Sequence, residues 1–393
     1  MVEYDPFSDE LVYGDKYALY AKLREEAPVY YSEKWNCWAL SRFDAVWEAC
    51  QHDAFSVAKG TTLSHLLTKV QPVTAMLNSM DPPDHSKLRG RIRAFFSPRR
   101  IRELTPLIER SVRELSLPFA DGDVHDFVDA FAQPLATFVG ATVIGLPPED
   151  SSYMRDLVGR FFLREEGNPG LSESGLAAMM EMNDYLAKIS EARRDRPADS
   201  EDSISVLHAW EDSRGRKLSD AEVASHLSLL LVGGTDTLPK VLANLLIRLE
   251  ENPDQRAELA AHPEHAVAAF NEAVRLDMPT QQMARSLSRD IHFAGRDMCE
   301  GQPVLLLYAS ANRDAREFDR PDAFDMHRKP PRSLGFSHGA HACIGLHVAR
   351  KEGEVAINEL LKHFPTYEVD RSGLERYATE FVQGYSKVPV RFS

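Results

Sequence analysis

The chain has 393 residues, 43% of them hydrophobic, enough to bury a large core and too apolar for a disordered protein. Lysine and arginine total 46 against 60 acidic residues, a formal charge of −14, which argues against nucleic acid as a main partner and makes any cationic surface a local one. No Gly/Ser/Pro stretch is long enough for a flexible linker, so one large domain spanning 1–393 is expected.

In chain order, the N-terminal MVEYDPFSDELVYGDKY is acidic and polar and lacks the basic segment and apolar run of a secretory signal. Apolar runs such as LSLLLV and PVLLLYASA fall short of the roughly 20 residues a membrane helix needs. The cysteines, at 37, 50, 299 and 343, form no CxxC pair, as in a reducing compartment. A soluble cytoplasmic protein with no membrane partner is the expectation.

VYYSEKWNCWALS near 29–41, DIHFAGRDMCEGQPVLLLYA near 290–309 and the tail around 379–392 read as short strands. Helical periodicity dominates from about 85 to 275 and again after 344. The fold class is therefore mainly α with a minor β region. Within DPPDHSKLRGRIRAFFSPRR, Lys87, Arg89, Arg91, Arg93, Arg99 and Arg100 follow Asp84 with no further acid, a local cationic patch in an acidic chain. RRDRPADSEDS, 193–203, reads as an exposed connector between helices.

The segment 219–251 reads as one long helix, roughly 45 to 50 Å at 1.5 Å per residue, opened by a capping pair in which Ser219 precedes Glu222 by three. Its middle holds Gly233, Gly234, Asp236, Thr237 and Pro239. Each glycine there costs about 1 kcal/mol against alanine and the proline about 3. Pro239 cannot donate to the carbonyl of Thr235, so the ladder opens there, and the glycines let a flat or bulky object approach the backbone.

GFSHGAHACIGLHVAR, 335–350, gathers Phe336, His338, His341, Cys343 and His347 among glycines. Zinc is conceivable, but the cysteine has no cysteine partner and the His spacing is irregular. A nucleophilic cysteine with a histidine base lacks an oxyanion-hole signature. A haem thiolate accounts for more of the pattern: glycines at 335, 339 and 345 allow a tight turn around one sulfur, and the helix that follows presents its N-terminal dipole to a thiolate. His338 and His347 then read as structural or surface residues.

FSHGAHACIG resembles the Phe-x-x-Gly-x-His-x-Cys-x-Gly loop of the cytochrome P-450 haem-thiolate monooxygenases. The segment 219–251 is similar to the family's oxygen-binding helix with its Gly-Gly-x-Asp-Thr core, Glu272 and Arg275 match its Glu-x-x-Arg pair, and Phe324 to Arg328 resembles the segment whose arginine completes that ion cluster. LLLVGGTDT and FVQGYSKVP are similar to the bacterial camphor-hydroxylase branch. The resemblance implies the family's triangular, mostly helical prism, and a monooxygenase that takes electrons from NAD(P)H through a separate ferredoxin and its reductase. It also implies haem b with Cys343 as axial ligand and Phe336 beside the sulfur, and propionates gripped by His85, Arg89, Arg285 and His341. Asp236 and Thr237 become the proton relay for O2, and Glu272, Arg275 and Arg328 a structural brace. Met283 stands where the camphor branch carries an acid.

Substrate contacts are expected from 60–80, the helices between 150 and 195, Leu229, Val232, Gly233, the turn after Met278, Phe381 and Val382, with Gln281 and Gln282 as polar contacts. Their mostly apolar character implies a small hydrophobic substrate, terpenoid or aromatic, bound by a monomer. A haem-thiolate sensor or carrier without turnover, and a peroxide-driven oxygenase, are the alternatives.

Overall fold

The computed structural model describes residues 2–68, 75–163, 171–195 and 202–393. Parts of three sequence expectations lie outside them: 69–74 of the 60–80 contact region, 164–170 of the 150–195 helices, and 196–201 of the polar connector. The largest sheet has five strands, β1 (Val29–Ser32), β2 (Cys37–Leu40), β3 (Phe55–Ser56), β4 (Met283–Leu287) and β5 (Pro303–Leu306), in the order β1-β2-β5-β4-β3. Only the β2–β5 pairing is parallel. The helices that bear on function are α1 (Phe43–Ala49), α2 (Asp84–Ile92), α3 (Asp220–Thr235), α4 (Thr237–Glu251), α5 (Ala266–Leu276) and α6 (Leu346–His363).

The chain divides into two compact units. The first comprises Met1–Asp81, Asn271–Cys343 and Tyr377–Gly384 and contains the five-stranded sheet. Its core joins Tyr20, Leu23, Phe43, Leu305 and Phe318. β5 reads as a continuous apolar run because Val304, Leu305 and Leu306 are all fully buried, as for a central strand covered on both faces. The second comprises Pro82–Phe270, Ile344–Arg376 and Tyr385–Ser393 and is mostly helical. A three-stranded sheet of Val124–Asp126, Pro389–Phe392 and Tyr367–Val369 closes it, with the ring of Phe392 stacked on that of Phe119 at 4.6 Å.

The strand segments near 29–41, 290–309 and 379–392 all contain strands, the middle one splitting into an Ile291–Phe293/Arg296–Met298 hairpin and β5. Several other strands escaped sequence reading, two of them instructive. Val124–Asp126 interrupts the helical stretch, and MARSL, with an arginine at its centre, forms β4. A buried arginine hides the apolar pattern of a strand, and only its pairing with β3 and β5 defines it.

From Asp220 to Glu251 the segment is helical except at Asp236, which joins α3 to α4. Ser219 and Glu222 form the anticipated capping box. The short apolar runs of this segment merge into a helix that is long and apolar enough to cross a membrane by composition, but 72% of its most apolar window is buried inside the protein. It is a core helix, packed against Glu173–Arg193 and Gln133–Ile144.

One turn beyond Glu222, His226 is 1% exposed and neither ring nitrogen has a hydrogen-bond partner among the described residues. Burial pushes it down from 6.5 to about 4. Its neutral form is the folded form, so its penalty is absent above about pH 6.5, grows as pH falls below that and reaches about 3 kcal/mol near pH 4. Urea midpoints measured between those limits should fall more steeply for the wild type than for His226→Leu; equal slopes would place the acid sensitivity elsewhere.

Candidate active site

The cysteine loop up to Cys343 belongs to the first unit and is held by short-range bonds. The Cys343 N–H donates to the Phe336 carbonyl at 2.8 Å, Ala342 N–H to Gly339 O at 3.1 Å and Ser337 N–H to Leu334 O at 2.9 Å. Gly339 takes φ +74, and a Cβ there would lie 2.3 Å from the Cys50 carbonyl oxygen just past α1. Only glycine fits that approach. Gly335 is similarly pressed, its Cβ position 2.9 Å from Val274 Cγ1. Gly345, by contrast, caps α6 with φ −81, open to any residue, so turn geometry does not demand it.

Two side chains that sequence reading did not single out support this loop. The Trp47 indole of α1 stacks on His338 with ring centroids 3.6 Å apart and 13° between planes, and burial lowers the His338 pKa. Tyr308 hydroxyl and Ser337 Oγ are 2.9 Å apart, with the Cys50 sulfur 3.6 Å from the same hydroxyl. His338 is thus a packing residue and His347 an exposed one, as expected. Cys343 itself is exposed.

Behind the loop, Glu272 and Arg275 sit one turn apart on α5 and form the anticipated pair. Arg275 Nη2 lies 2.7 Å from Glu272 Oε1 and Nε 2.8 Å from Oε2. Arg328 Nε donates to the same Oε1 at 3.0 Å and the Asp325 N–H at 3.1 Å. All three side chains are at most 9% exposed. Arg275 also donates to the carbonyls of Asn312, Pro321 and Ala323, and Arg328 to those of Asp319, Arg320 and Ala323. Asn312 Oδ1 accepts from Leu334 N–H at 3.1 Å, which carries the clamp to the base of the cysteine loop.

Arg285 is 4% exposed on β4, and among the described residues its one side-chain hydrogen bond runs to the neighbouring Ala284 carbonyl. No carboxylate among those residues pairs with it. A buried guanidinium without an acid fits an anionic group supplied from outside the chain. Phe381 and Val382 are strapped to 279–281: Gln281 N–H donates to Phe381 O, and Thr280 bridges Val382, which is 4% exposed. Gln282 is spent on Tyr4 and the Glu380 carbonyl and Gln281 Nε2 on the Met278 carbonyl. Both ends of Gln282 are thus engaged within the fold, against its expected role toward substrate, whereas Gln281 Oε1 is buried with no partner among the described residues.

In the second unit, His85 and Arg89 lie one turn apart on α2, the histidine buried and the arginine half-buried. Lys87, Arg91, Arg93 and Arg99 are exposed there, although Arg99 and Arg100 both pair with Glu103 one turn on. On α3 and α4, Leu229, Gly233 and Thr237 stand at intervals of four and form one face. That face is the uncovered one: His226, Leu227, Ser228, Leu231 and Thr235 are buried, Leu229 and Val232 half-buried, and Gly233 and Gly234 exposed. A Cβ at either glycine would meet no atom within 4 Å. The Thr237 hydroxyl donates to Gly233 O at 3.3 Å.

Pro239 withholds a donor from the Thr235 carbonyl, which instead accepts from Gln133 Nε2 at 3.2 Å. The Asp236 carboxylate is 9% exposed and paired with Lys240, one turn on. Neither Gln133 nor Lys240 was singled out from sequence; the i, i+4 spacing of Asp236 and Lys240 was the available signal.

Within the second unit a helix face is left uncovered with a threonine at its edge, and within the first a braced loop exposes one sulfur. The family model for cytochrome P450 matches residues 168–376. A putative cytochrome P450 123 of Mycobacterium tuberculosis is 34% identical over 98% of this chain and 96% of its own length. The chain belongs to the cytochrome P450 family. A 20-oxo-5-O-mycaminosyltylactone 23-monooxygenase of Streptomyces fradiae is 32% identical, covering 94% of this chain and 88% of that one. The structure of a mutant of P450 EryK in complex with erythromycin B matches with a TM-score of 0.86 and 30% identity over 96% of both chains. The chain is a P450 monooxygenase of the P450 fold, and its cofactor is haem b.

The crowding at Gly339 predicts that Gly339→Ala will displace the loop and destabilise this P450 by about 2 kcal/mol or more. A lower urea midpoint together with faster haem loss to a haem scavenger would show it; wild-type values for both would mean the loop relaxes freely.

Proposed function

We propose that the whole chain, 1–393, acts as one cytoplasmic, monomeric P450 domain that inserts one atom of O2 into a C–H bond of a hydrophobic substrate. The second oxygen atom leaves as water, with two electrons from NAD(P)H relayed by a ferredoxin and two protons. The uncovered face at Gly233, Gly234 and Thr237, on a helix otherwise buried, is the observation that carries this reading.

Haem held by Cys343 supplies the oxygen activation, since a thiolate ligand favours O–O cleavage. The chain's residues do the rest. Phe336 shields the sulfur. Arg285, Arg89, His85 and His341 hold the carboxylates of haem, for which the acid-free guanidinium of Arg285 is suited. Thr237 keeps a hydroxyl at the open face, and Asp236 supplies protons to it. Leu229, Val232, Gly233, Phe381 and Val382 are assigned to the substrate, and the exposed cations of α2 to an acidic ferredoxin.

Terpenoids and aromatics suit the apolar assignments. A second reading is favoured by the relatives: one is named for 20-oxo-5-O-mycaminosyltylactone and another was solved with erythromycin B. A screen of both groups for the low-spin to high-spin shift of the Soret band separates the two.

Reduced under carbon monoxide, the protein should show the red-shifted absorption of thiolate-ligated haem, and Cys343→Ser should abolish it. A variant at Cys37, Cys50 or Cys299 that removed the band while Cys343→Ser kept it would overturn the ligand assignment. Thr237→Ala should retain haem and spin shift, keep NAD(P)H consumption, and divert most of the flux to hydrogen peroxide. Product formed per NAD(P)H oxidised measures this, and wild-type coupling would remove Thr237 from the relay.

A further inference from the structure

Lys240 is a deeply buried cation in the middle of the long helix. Its side chain is 8% exposed, with Nζ 2.5 Å from Asp236 Oδ1 and 2.9 Å from the Asp236 carbonyl oxygen. The same ammonium lies 5.8 Å from the centre of the Phe162 ring. Among the described residues this is the one ion pair Asp236 makes, and Asp236 Oδ2 is buried with no hydrogen-bond partner.

Burying a lysine here is expensive, and an apolar helix former would sit at position 240 at less cost. What the ammonium achieves is geometric. It spans one turn of α4, occupies one carboxylate oxygen, and covers the carbonyl of the residue at which α3 and α4 meet. A carboxylate with one oxygen tied has its rotamer fixed, and the other oxygen is left to accept and pass on a proton. The tether lies within a single helix, so releasing it requires only rotation of the Lys240 side chain.

We propose that Lys240 is the positioning residue of proton delivery in this enzyme: it pins Asp236 Oδ1 along α4 and leaves Oδ2 as the oxygen that hands protons toward Thr237. This rests on the reading of Asp236 and Thr237 as the relay. Lys240 touches neither substrate nor oxygen in this scheme; it acts through Asp236 alone.

The test compares wild type, Lys240→Met, Lys240→Arg and Asp236→Asn as holoenzymes, each with a compound that produces the spin shift. In Lys240→Met, product per NAD(P)H should fall about threefold or more. The pH profile of turnover should move up by about one unit or more, because a carboxyl that loses a facing cation binds protons more tightly. Lys240→Arg should restore most of both. In the Asp236→Asn background Lys240→Met should add nothing further, a non-additivity that a merely structural lysine would not give. A readout independent of turnover is the infrared carboxyl band of the ferric holoenzyme that vanishes in Asp236→Asn; it should titrate at higher pH in Lys240→Met.

A Lys240→Met enzyme with the wild-type pH profile and the wild-type infrared titration overturns the proposal. If Asp236→Asn alone leaves coupling and rate unchanged, the relay reading fails instead, and the infrared titration still decides whether Lys240 governs the carboxylate. Should Lys240→Met not fold, Lys240→Gln keeps the stem and removes the charge, and the same two criteria apply.

Discussion

One buried carboxylate carries the segment that leads into the cysteine loop. Glu272 accepts from Arg275, Arg328 and the Asp325 N–H, and the two guanidiniums spend their remaining donors on five backbone carbonyls between Asn312 and Ala323. Such a cluster gains little over a well-packed apolar one, but losing a single member leaves charge stranded in the interior at a cost of about 3–5 kcal/mol. Its value is specification. A segment with little regular structure is held in one conformation, and Asn312 passes that constraint to Leu334, where the cysteine loop begins.

The loop adds its own constraints. Gly339 sits against the Cys50 carbonyl, Trp47 lies flat on His338, and the Cys343 N–H returns to Phe336. The support is spread over α1, α5 and the 312–334 segment rather than left to the loop, which suits the ligand role proposed for Cys343, since a metal ligand must be held within a fraction of an ångström.

The long helix shows the opposite strategy, local weakness compensated nearby. Two glycines and a proline within seven residues cost several kcal/mol of helix propensity. Side chains steady the opening: Gln133 takes the Thr235 carbonyl that Pro239 leaves without a donor, and Lys240 and Thr237 add bonds to the carbonyls of Asp236 and Gly233. The opening survives because its loose ends are satisfied, and the side-chain-free face it creates is where the chemistry is proposed to occur.

Much of this was legible in the sequence because the constraints are local. The capping box at Ser219 and Glu222, the three-residue spacing of Glu272 and Arg275, the proline opposite Thr235 and the glycine-lined cysteine loop each arise within a turn or two of chain. Other features depend on residues brought together from far apart. Gln133 reaches Thr235 across 102 positions, Trp47 meets His338, and MARSL becomes a strand only beside β3 and β5. Spacing shows that Asp236 and Lys240 can meet; only burial makes their pairing consequential, because a surface pair at that spacing is worth a few tenths of a kcal/mol. Gln282 turned inward for the same reason: side-chain direction follows from what packs on each face, and no single sequence window contains that information. The sequence by itself determined the family, the cofactor and the order of the motifs, since these rest on residue type and short spacing. Tertiary structure alone decided which polar groups are buried together, because desolvation is a property of the packed chain and not of any one segment.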